Sequence, residues 1–451
     1  MSDTPLSPDP QGTAEPTGPS PHGLDVPPSP RLRSADRQQV RLVEMAWDEL
    51  IPPEHDVRFV WDLVSGWDRS QFLDRIRARG GAPGRPATDP TILITLWLYA
   101  SMRGVSSARE LAKLCEESHP YLWICGGVSL NYHTLADFRV EHGDALDGLL
   151  TQMLAVLIHS GAVTVERVAQ DGTRVRVGAG ANSFKKKEAL EQAFQKARDH
   201  LKVLQQQERR GAASRTRREA AQARAARERV ERMERALEEL AKVEAAKAAQ
   251  KDKPTKTNPP KASTTDPEAR FLRMPDGGTR PAFNVQLAVD TRSRAIVGVE
   301  VTNAGSDAGR SGPMRDQIEA RTGGSVKEQL LDGGYTKLDD VDQAAAAETT
   351  YYMPVPKPRK QGADPHQAKK TDSPAVAAWR ERMGTAEAKA IYKQRAATIE
   401  TVNGELKTLR GLNRFGVRGL VKARSVAVWS VLAYNVVHLR AALSSKSRAT
   451  T

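Results

Sequence analysis

From Gln38 to Val163 the large apolar side chains return every three or four residues: Leu42, Met45, Trp47, Trp61 and Phe72, then Leu93, Trp97 and Leu98, then Ala108, Leu111 and Leu114. That period puts them on one face of successive helices, and it predicts an all-α domain over residues 37–163. Gly80-Gly81-Ala82-Pro83-Gly84-Arg85-Pro86 breaks the pattern before one helix, and Gly104-Val105-Ser106-Ser107 before the next. Ser106 or Ser107 is placed to cap the helix that follows, with Glu110 in its first turn. A further helix is expected near His133, capped by Thr134 or the residues just before it. Trp61, Trp67, Trp97 and Trp123 read as core.

Beyond Val163 the period shortens to two. Val163, Val165, Val168 and Ala169 lead into Gln170-Asp171-Gly172-Thr173-Arg174-Val175, a strand that Asp171 is expected to end or bend at Gly172. Phe283 to Asp290 alternates strictly and Ala295 to Val301 follows a short turn, so three consecutive antiparallel strands are predicted. A helix (314–322), a strand (328–332), a helix (338–347), a strand (349–354) and a long helical region from Pro374 complete the pattern. Strands followed by alternating helix and strand give an α/β mixed sheet with flanking helices over residues 164–445.

A segment of another kind interrupts that sheet. Within 185–261, Leu190, Phe194, Ala197, Leu201 and Leu204, then Val230, Met233, Leu237 and Leu240, keep a spacing of three or four around Gly211-Ala212-Ala213-Ser214. The reading is a helical hairpin insertion, closed by a return linker through Lys253-Pro254-Thr255 to Pro259-Pro260. The other end of the scale is residues 1–36. Nine of the 27 prolines fall in the first 30 positions, and so few apolar groups cannot repay the entropy of ordering, so a disordered tail is expected.

Charge sharpens the picture. Lys and Arg number 68 against 55 Asp and Glu, a formal +13, which favours a polyanionic partner. Residues 185–261 hold 22 of those cations and only 12 of the acids, so most of the excess belongs to the insertion. It is suited to sequence-independent contact with a phosphate backbone or to pairing with another protomer. Lys185, Lys186 and Lys187 at its start are candidates for DNA contact. The two cysteines, Cys115 and Cys125, match neither a zinc spacing nor a disulfide framework, and a reducing compartment is expected. The longest apolar runs, 91–100 and 426–437, are shorter than the ~20 residues of a membrane span and read as buried helices.

Three carboxylates stand where chemistry could use them. Asp171 sits on the first strand, Asp332 follows an apolar strand and precedes Gly333-Gly334-Tyr335, and Glu400 lies in a helix expected from about Ala386 to Leu409. Acidic groups at strand ends, with glycine leaving room for substrate, suit hard divalent cations. At about 100° per residue, Glu400, Asn403, Lys407 and Tyr392 fall within roughly 80° of arc, with Arg395 about 60° beyond Tyr392. Asp266 and Asp307 read as structural.

Taken in order, Gln170-Asp171-Gly172-Thr173, Thr265-Asp266-Pro267-Glu268-Ala269-Arg270, Phe283-Asn284-Val285-Gln286, Asp332-Gly333-Gly334-Tyr335 and Tyr392-x2-Arg395-x4-Glu400-x6-Lys407 resemble the DDE transposases of bacterial insertion sequences, the group with a Tyr, Arg, Glu, Lys signature. The likeness runs from about residue 38 to 440, since 84–90, 104–111 and 134–139 resemble that group's N-terminal helical domain. It implies an RNase H-like core in which Asp171, Asp332 and Glu400 are catalytic and hold two Mg²⁺ (or Mn²⁺) ions, while Tyr392, Arg395 and Lys407 grip DNA phosphates near the cut. It further implies binding to terminal inverted repeats, metal-dependent strand cleavage and strand transfer, double-stranded DNA as partner, a homodimer at the synapse, and a cytoplasmic, nucleoid-associated protein with no membrane attachment. Arg414 to Gly419 and Tyr434-Asn435 match C-terminal helices of the group, where packing is the expected role. Competing readings are a catalytically inactive or domesticated DNA-binding relative and a non-catalytic basic coiled-coil protein that binds nucleic acid. The three carboxylates speak against the first and the order of the motifs against the second.

Overall fold

Capping and burial place the N-terminal helices from Asp56 onward where the apolar period predicts them, whereas Met45 and Trp47 ahead of them are exposed and Leu42 lies outside the described residues. In the computed structural model, which describes residues 44–79, 86–210, 216–248, 259–358 and 362–444, a 3₁₀ turn (Trp47–Leu50) leads into α1 (Asp56–Ser65), α2 (Ser70–Leu73), α3 (Pro90–Met102), α4 (Ala108–Glu117), α5 (His119–Cys125), α6 (Tyr132–Glu141) and α7 (Gly143–His159). The expected tail over 1–36, the glycine and proline segment before α3 up to Arg85, and the return linker up to Asn258 lie outside the described residues. Asp89 caps α3 with Pro90 in its first turn, Ser107 caps α4 by accepting from the Glu110 N–H, and Asn131 caps α6. α3 is buried along nearly its whole length, and Trp97 in it donates to the Leu135 carbonyl at 2.9 Å. Trp67 and Trp97 are core, whereas Trp61 and Trp123 are half-buried and meet edge to face at 5.8 Å.

The sheet is built on β1 (Arg167–Arg176). On one side lies β5 (Thr279–Asp290), antiparallel, with Asp171 opposite Leu287; on the other lie β7 (Glu328–Leu330) and β8 (Thr350–Tyr352), both parallel. The outer edge of β5 takes two partners, β6 (Ile296–Thr302) and β4 (Arg270–Arg273). α10 (Ser311–Thr322) crosses from β6 to β7 and α11 (Leu338–Ala346) from β7 to β8, the covering helices that parallel neighbours require. This is the RNase H-like mixed sheet with flanking helices. The β4–β5 hairpin, turned at Pro275-Asp276-Gly277-Gly278, has no counterpart among the predicted strands.

The insertion folds as a hairpin of α8 (Lys187–Arg210) and α9 (Arg217–Ala248). A two-residue ladder, β2 (Phe184–Lys185) with β3 (Ala262–Ser263), clasps its root, and Leu190, Ala236, Leu240 and Ala262 form a small core of their own.

The chain closes through α12 (Pro374–Gly384), α13 (Ala386–Arg395), a π-helical turn (Ala396–Glu400), α14 (Thr401–Leu409), α15 (Leu420–His438) and α16 (Arg440–Ser444). α15 extends beyond its apolar run to 19 residues and is long and apolar enough to cross a membrane by length and composition; here it is mostly buried, packed on α3, α6, α7 and β6. Asp147 on α7 holds both Arg321 of α10 and Arg424 of α15, at 2.6 and 2.7 Å. Asn435 accepts from the Ile296 N–H and donates to the Ile296 carbonyl, each at 2.9 Å, beside the register shift between β5 and β6.

The turn between β3 and β4, on the chain's return from the insertion, also caps α15. Asp266 accepts from the Gly419 N–H at 3.2 Å and Glu268 from the Leu420 N–H at 2.9 Å, carboxylates at the positive end of a helix. Burial nevertheless pushes Asp266 up to about 6. A carboxyl raised above its unfolded value binds a proton more readily in the native state, so its stabilisation is full below about pH 4 and is lost as pH rises through about 6. Asp266→Asn keeps an acceptor oxygen and is expected to flatten that segment of the stability profile, read by urea unfolding at pH 4 to 7. Equal slopes in the two proteins would contradict it.

Candidate active site

Asp171 lies in the middle of β1 rather than at an end or bend, because the strand runs unbroken through Gly172, which pairs with Gln286. Glycine is needed there for space. A Cβ at residue 172 would stand 2.3 Å from Asp307 Oδ1, 2.3 Å from Gln286 Nε2 and 2.7 Å from Asn284 Oδ1.

Those groups belong to a buried polar chain on the face of the sheet opposite Asp171. Gln329 Nε2 donates to Gln170 Oε1 (2.6 Å), Gln170 Nε2 to Gln286 Oε1 (3.0 Å), and Gln286 Nε2 to Asp307 Oδ1 (2.6 Å). Tyr335 O–H also donates to Gln286, and Asn284 and Arg174 close on Asp307 at 2.7 and 3.0 Å. Linked buried amides leave each other few alternative orientations, so the chain ties β7, β1 and β5 into one register beneath Asp171. Asp307 is thus structural, as read from the sequence, and so is Asp266 at the start of α15.

On the other face Asp171 meets the C-terminal helices. Arg395 Nη2 is 3.0 Å from Asp171 Oδ1 and 3.8 Å from Asp332 Oδ2, and Asn403 Nδ2 donates to Asp171 Oδ2 at 3.2 Å. Asp332 follows β7 and caps the turn Gly333–Tyr335 by accepting from the Gly334 N–H. Burial pushes the Asp171 carboxyl up to about 6; Arg395 opposes the shift, and Asp332 and Asp307 add to it. Burial lowers the pKa of Lys407, against the attraction of Asp171. The Tyr392 phenol is raised by burial and lies among Arg395, Asp332, Asp171 and Glu400.

The π-helical turn explains why Arg395 is central to this face instead of outside it. A turn closed i→i+5 contains one residue more than an α turn, so the helix beyond it is rotated back by about 100°. With that correction Arg395, Asn403 and Lys407 fall within about 40° of one another. Asn403 therefore reaches Asp171, a contact that the uninterrupted wheel does not place. Glu400, the last residue of the π turn, is exposed and makes no hydrogen bond or ion pair among the described residues. Lys185, Lys186 and Lys187 stand at the root of the hairpin, and none pairs with the site carboxylates.

No group of three or more His, Cys, Asp or Glu side chains that could hold a metal occurs among the described residues. The convergent oxygens nonetheless suit a hard cation. Asp171 and Asp332 already share one positive group, and Asn403 Oδ1 beside them is a buried acceptor without a hydrogen-bond partner.

Family comparison agrees with both halves of the fold. Residues 256–436 match the transposase DDE domain and residues 45–141 match a further transposase domain. No curated protein and no solved structure matches the chain. The first span contains Asp332, Tyr392, Arg395, Glu400 and Lys407; Asp171 lies outside it, before the insertion, on the strand that pairs with the span's β5. The two matched spans together take in more than half of the chain, which belongs to the DDE transposases of bacterial insertion sequences.

Proposed function

We propose that the protein binds the terminal inverted repeats of its own element, cleaves the DNA strand there and joins the freed 3′ end to a target. The observation that carries this reading is the convergence of Asp171 and Asp332, 161 residues apart in the chain, on Arg395 with Asn403 and Lys407 alongside.

Asp171, Asp332 and Glu400 would hold two Mg²⁺ or Mn²⁺ ions, which when bound activate a water or hydroxyl and stabilise the departing 3′ oxygen. The chain's own work is charge and position. Arg395 offers a planar fork and Lys407 a point charge to the phosphates flanking the cut, with the Tyr392 hydroxyl near Arg395. The amide chain under β1 keeps Asp171 at a fixed height relative to Asp332. No covalent intermediate on the protein is required. Duplex DNA is the partner, a homodimer brings two ends together, and the cytoplasmic nucleoid is the site of action; the burial of α15 in the core supports a protein that stays out of the membrane.

The test uses purified full-length protein and labelled linear DNA carrying the element's ends. Nicking at the 3′ ends is expected with Mg²⁺ and not with EDTA. Binding to those ends without nicking in Mg²⁺ would overturn the enzymatic reading.

A further inference from the structure

The root of the hairpin gathers cations that form no ion pairs among the described residues. Lys185 of β2, Arg229 and Arg232 of α9 and Thr264 border a cleft of about 450 Å³, floored by the small side chains of Ala189 and Ala193. Arg232 Nε donates to the Thr264 carbonyl at 3.1 Å, which anchors the guanidinium at the mouth. Arg418, on the loop before α15, stands beside it; burial first and then Arg418 lower the pKa of Arg232, with Glu228 one turn back opposing. Asp266, which attracts Arg418, also accepts from the Gly419 N–H and forms no ion pair with Arg418 among the described residues. Three cations bordering one cleft, with Arg418 beside Arg232, point to an anion.

Position along the fold says which anion. β1 runs five residues from Asp171 to Arg176, about 17 Å at ~3.3 Å per residue, and there it bridges to Arg414, four residues before Arg418. The start of the loop that carries Arg418 therefore lies one strand-length from Asp171, a reach of about five base pairs at ~3.4 Å each. A second copy of the arm is a poor occupant, since a two-fold contact would set the same basic surface against itself.

We propose that this cleft seats backbone phosphates of the bound DNA outside the stretch that is cut, through Lys185, Arg229 and Arg232 at its border and Arg418 beside Arg232. The proposal rests on the transposase reading for the identity of the polyanion, and the contact is independent of sequence.

The experiment measures binding of the full chain to a generic 40-base-pair duplex by fluorescence anisotropy across a KCl series, without Mg²⁺ so that cleavage plays no part. Arg229→Ala/Arg232→Ala/Arg418→Ala is expected to lower the slope of log K against log salt by about 0.9 per lost phosphate contact, and to weaken binding roughly tenfold per contact near 0.1 M salt. Lys196→Ala/Lys202→Ala/Arg224→Ala, an equal charge loss on exposed positions elsewhere on the arm, is expected to change both much less. Arg232→Lys, which keeps the charge but not the bond to Thr264, is expected to retain the wild-type slope. A triple variant that matches wild type or the control overturns the proposal, as does Arg232→Lys losing as much slope as the triple variant. Duplex binding by wild type with no effect of the triple variant defeats this seat alone; no binding by wild type at all defeats the transposase reading with it.

Discussion

Asp332→Ala removes 3′-end nicking by about three orders of magnitude while the protein still folds and binds its ends. Losing a carboxylate that holds a catalytic ion is expected to cost roughly 4 kcal/mol of transition-state stabilisation. Asp332 is only partly buried, and its pairing with Arg395 is long at 3.8 Å, so its removal leaves the fold nearly untouched. Asp171→Asn is expected to lose as much activity, since the asparagine keeps the shape but not the charge that faces Arg395. The measurement is single-turnover cleavage of labelled ends, with binding followed separately. A variant as active as wild type would remove that residue from the site. Glu400→Gln decides the third position: a comparable loss places Glu400 with the two aspartates, and retained cleavage would leave the pair on β1 and β7 as the whole acidic site.

Trp429→Ala is expected to destabilise the protein by roughly 3–5 kcal/mol, in the range for deleting a fully buried large side chain. Trp429 on α15 has no exposed surface, and its indole N–H donates to the Arg139 carbonyl at 3.2 Å. Arg139 in turn lies over the Trp97 ring at 4.6 Å and bonds the Ser106 carbonyl. The change would thus open a cavity between the helical region and the sheet and leave a buried carbonyl unpaired. Trp429→Phe, which keeps most of the volume and loses the hydrogen bond, is expected to cost about 1–2 kcal/mol. Urea unfolding measures both; a loss of under 1 kcal/mol for the alanine variant would contradict the role given to α15.

The same helix shows how far local pattern reaches. Its apolar run marks it as buried, yet nothing in the run tells that Asn435 will satisfy both backbone groups of Ile296, 139 residues away. The β4–β5 hairpin was within reach: Pro275-Asp276-Gly277-Gly278 is a turn sequence between two short extended runs, overshadowed by the helical insertion just before it. Asn403 was legible as a residue of the right helix face. Its contact with Asp171 was not, because an α wheel assigns Arg395, Asn403 and Lys407 to a broader arc than the π turn gives them.

Sequence alone determined most of the elements, the location of the excess charge in 185–261 and the acidic and basic residues available for chemistry. These follow from period, composition and order, all of which act over a few residues at a time. Tertiary structure alone decided that Asp171 and Asp332 would share Arg395, that Gly172 would be required by the polar chain beneath it, and that the cations of the arm would close around a cleft with Arg418. Each depends on strand register and helix phase between segments scores of residues apart, and both are set by which buried surfaces pack together rather than by any local preference.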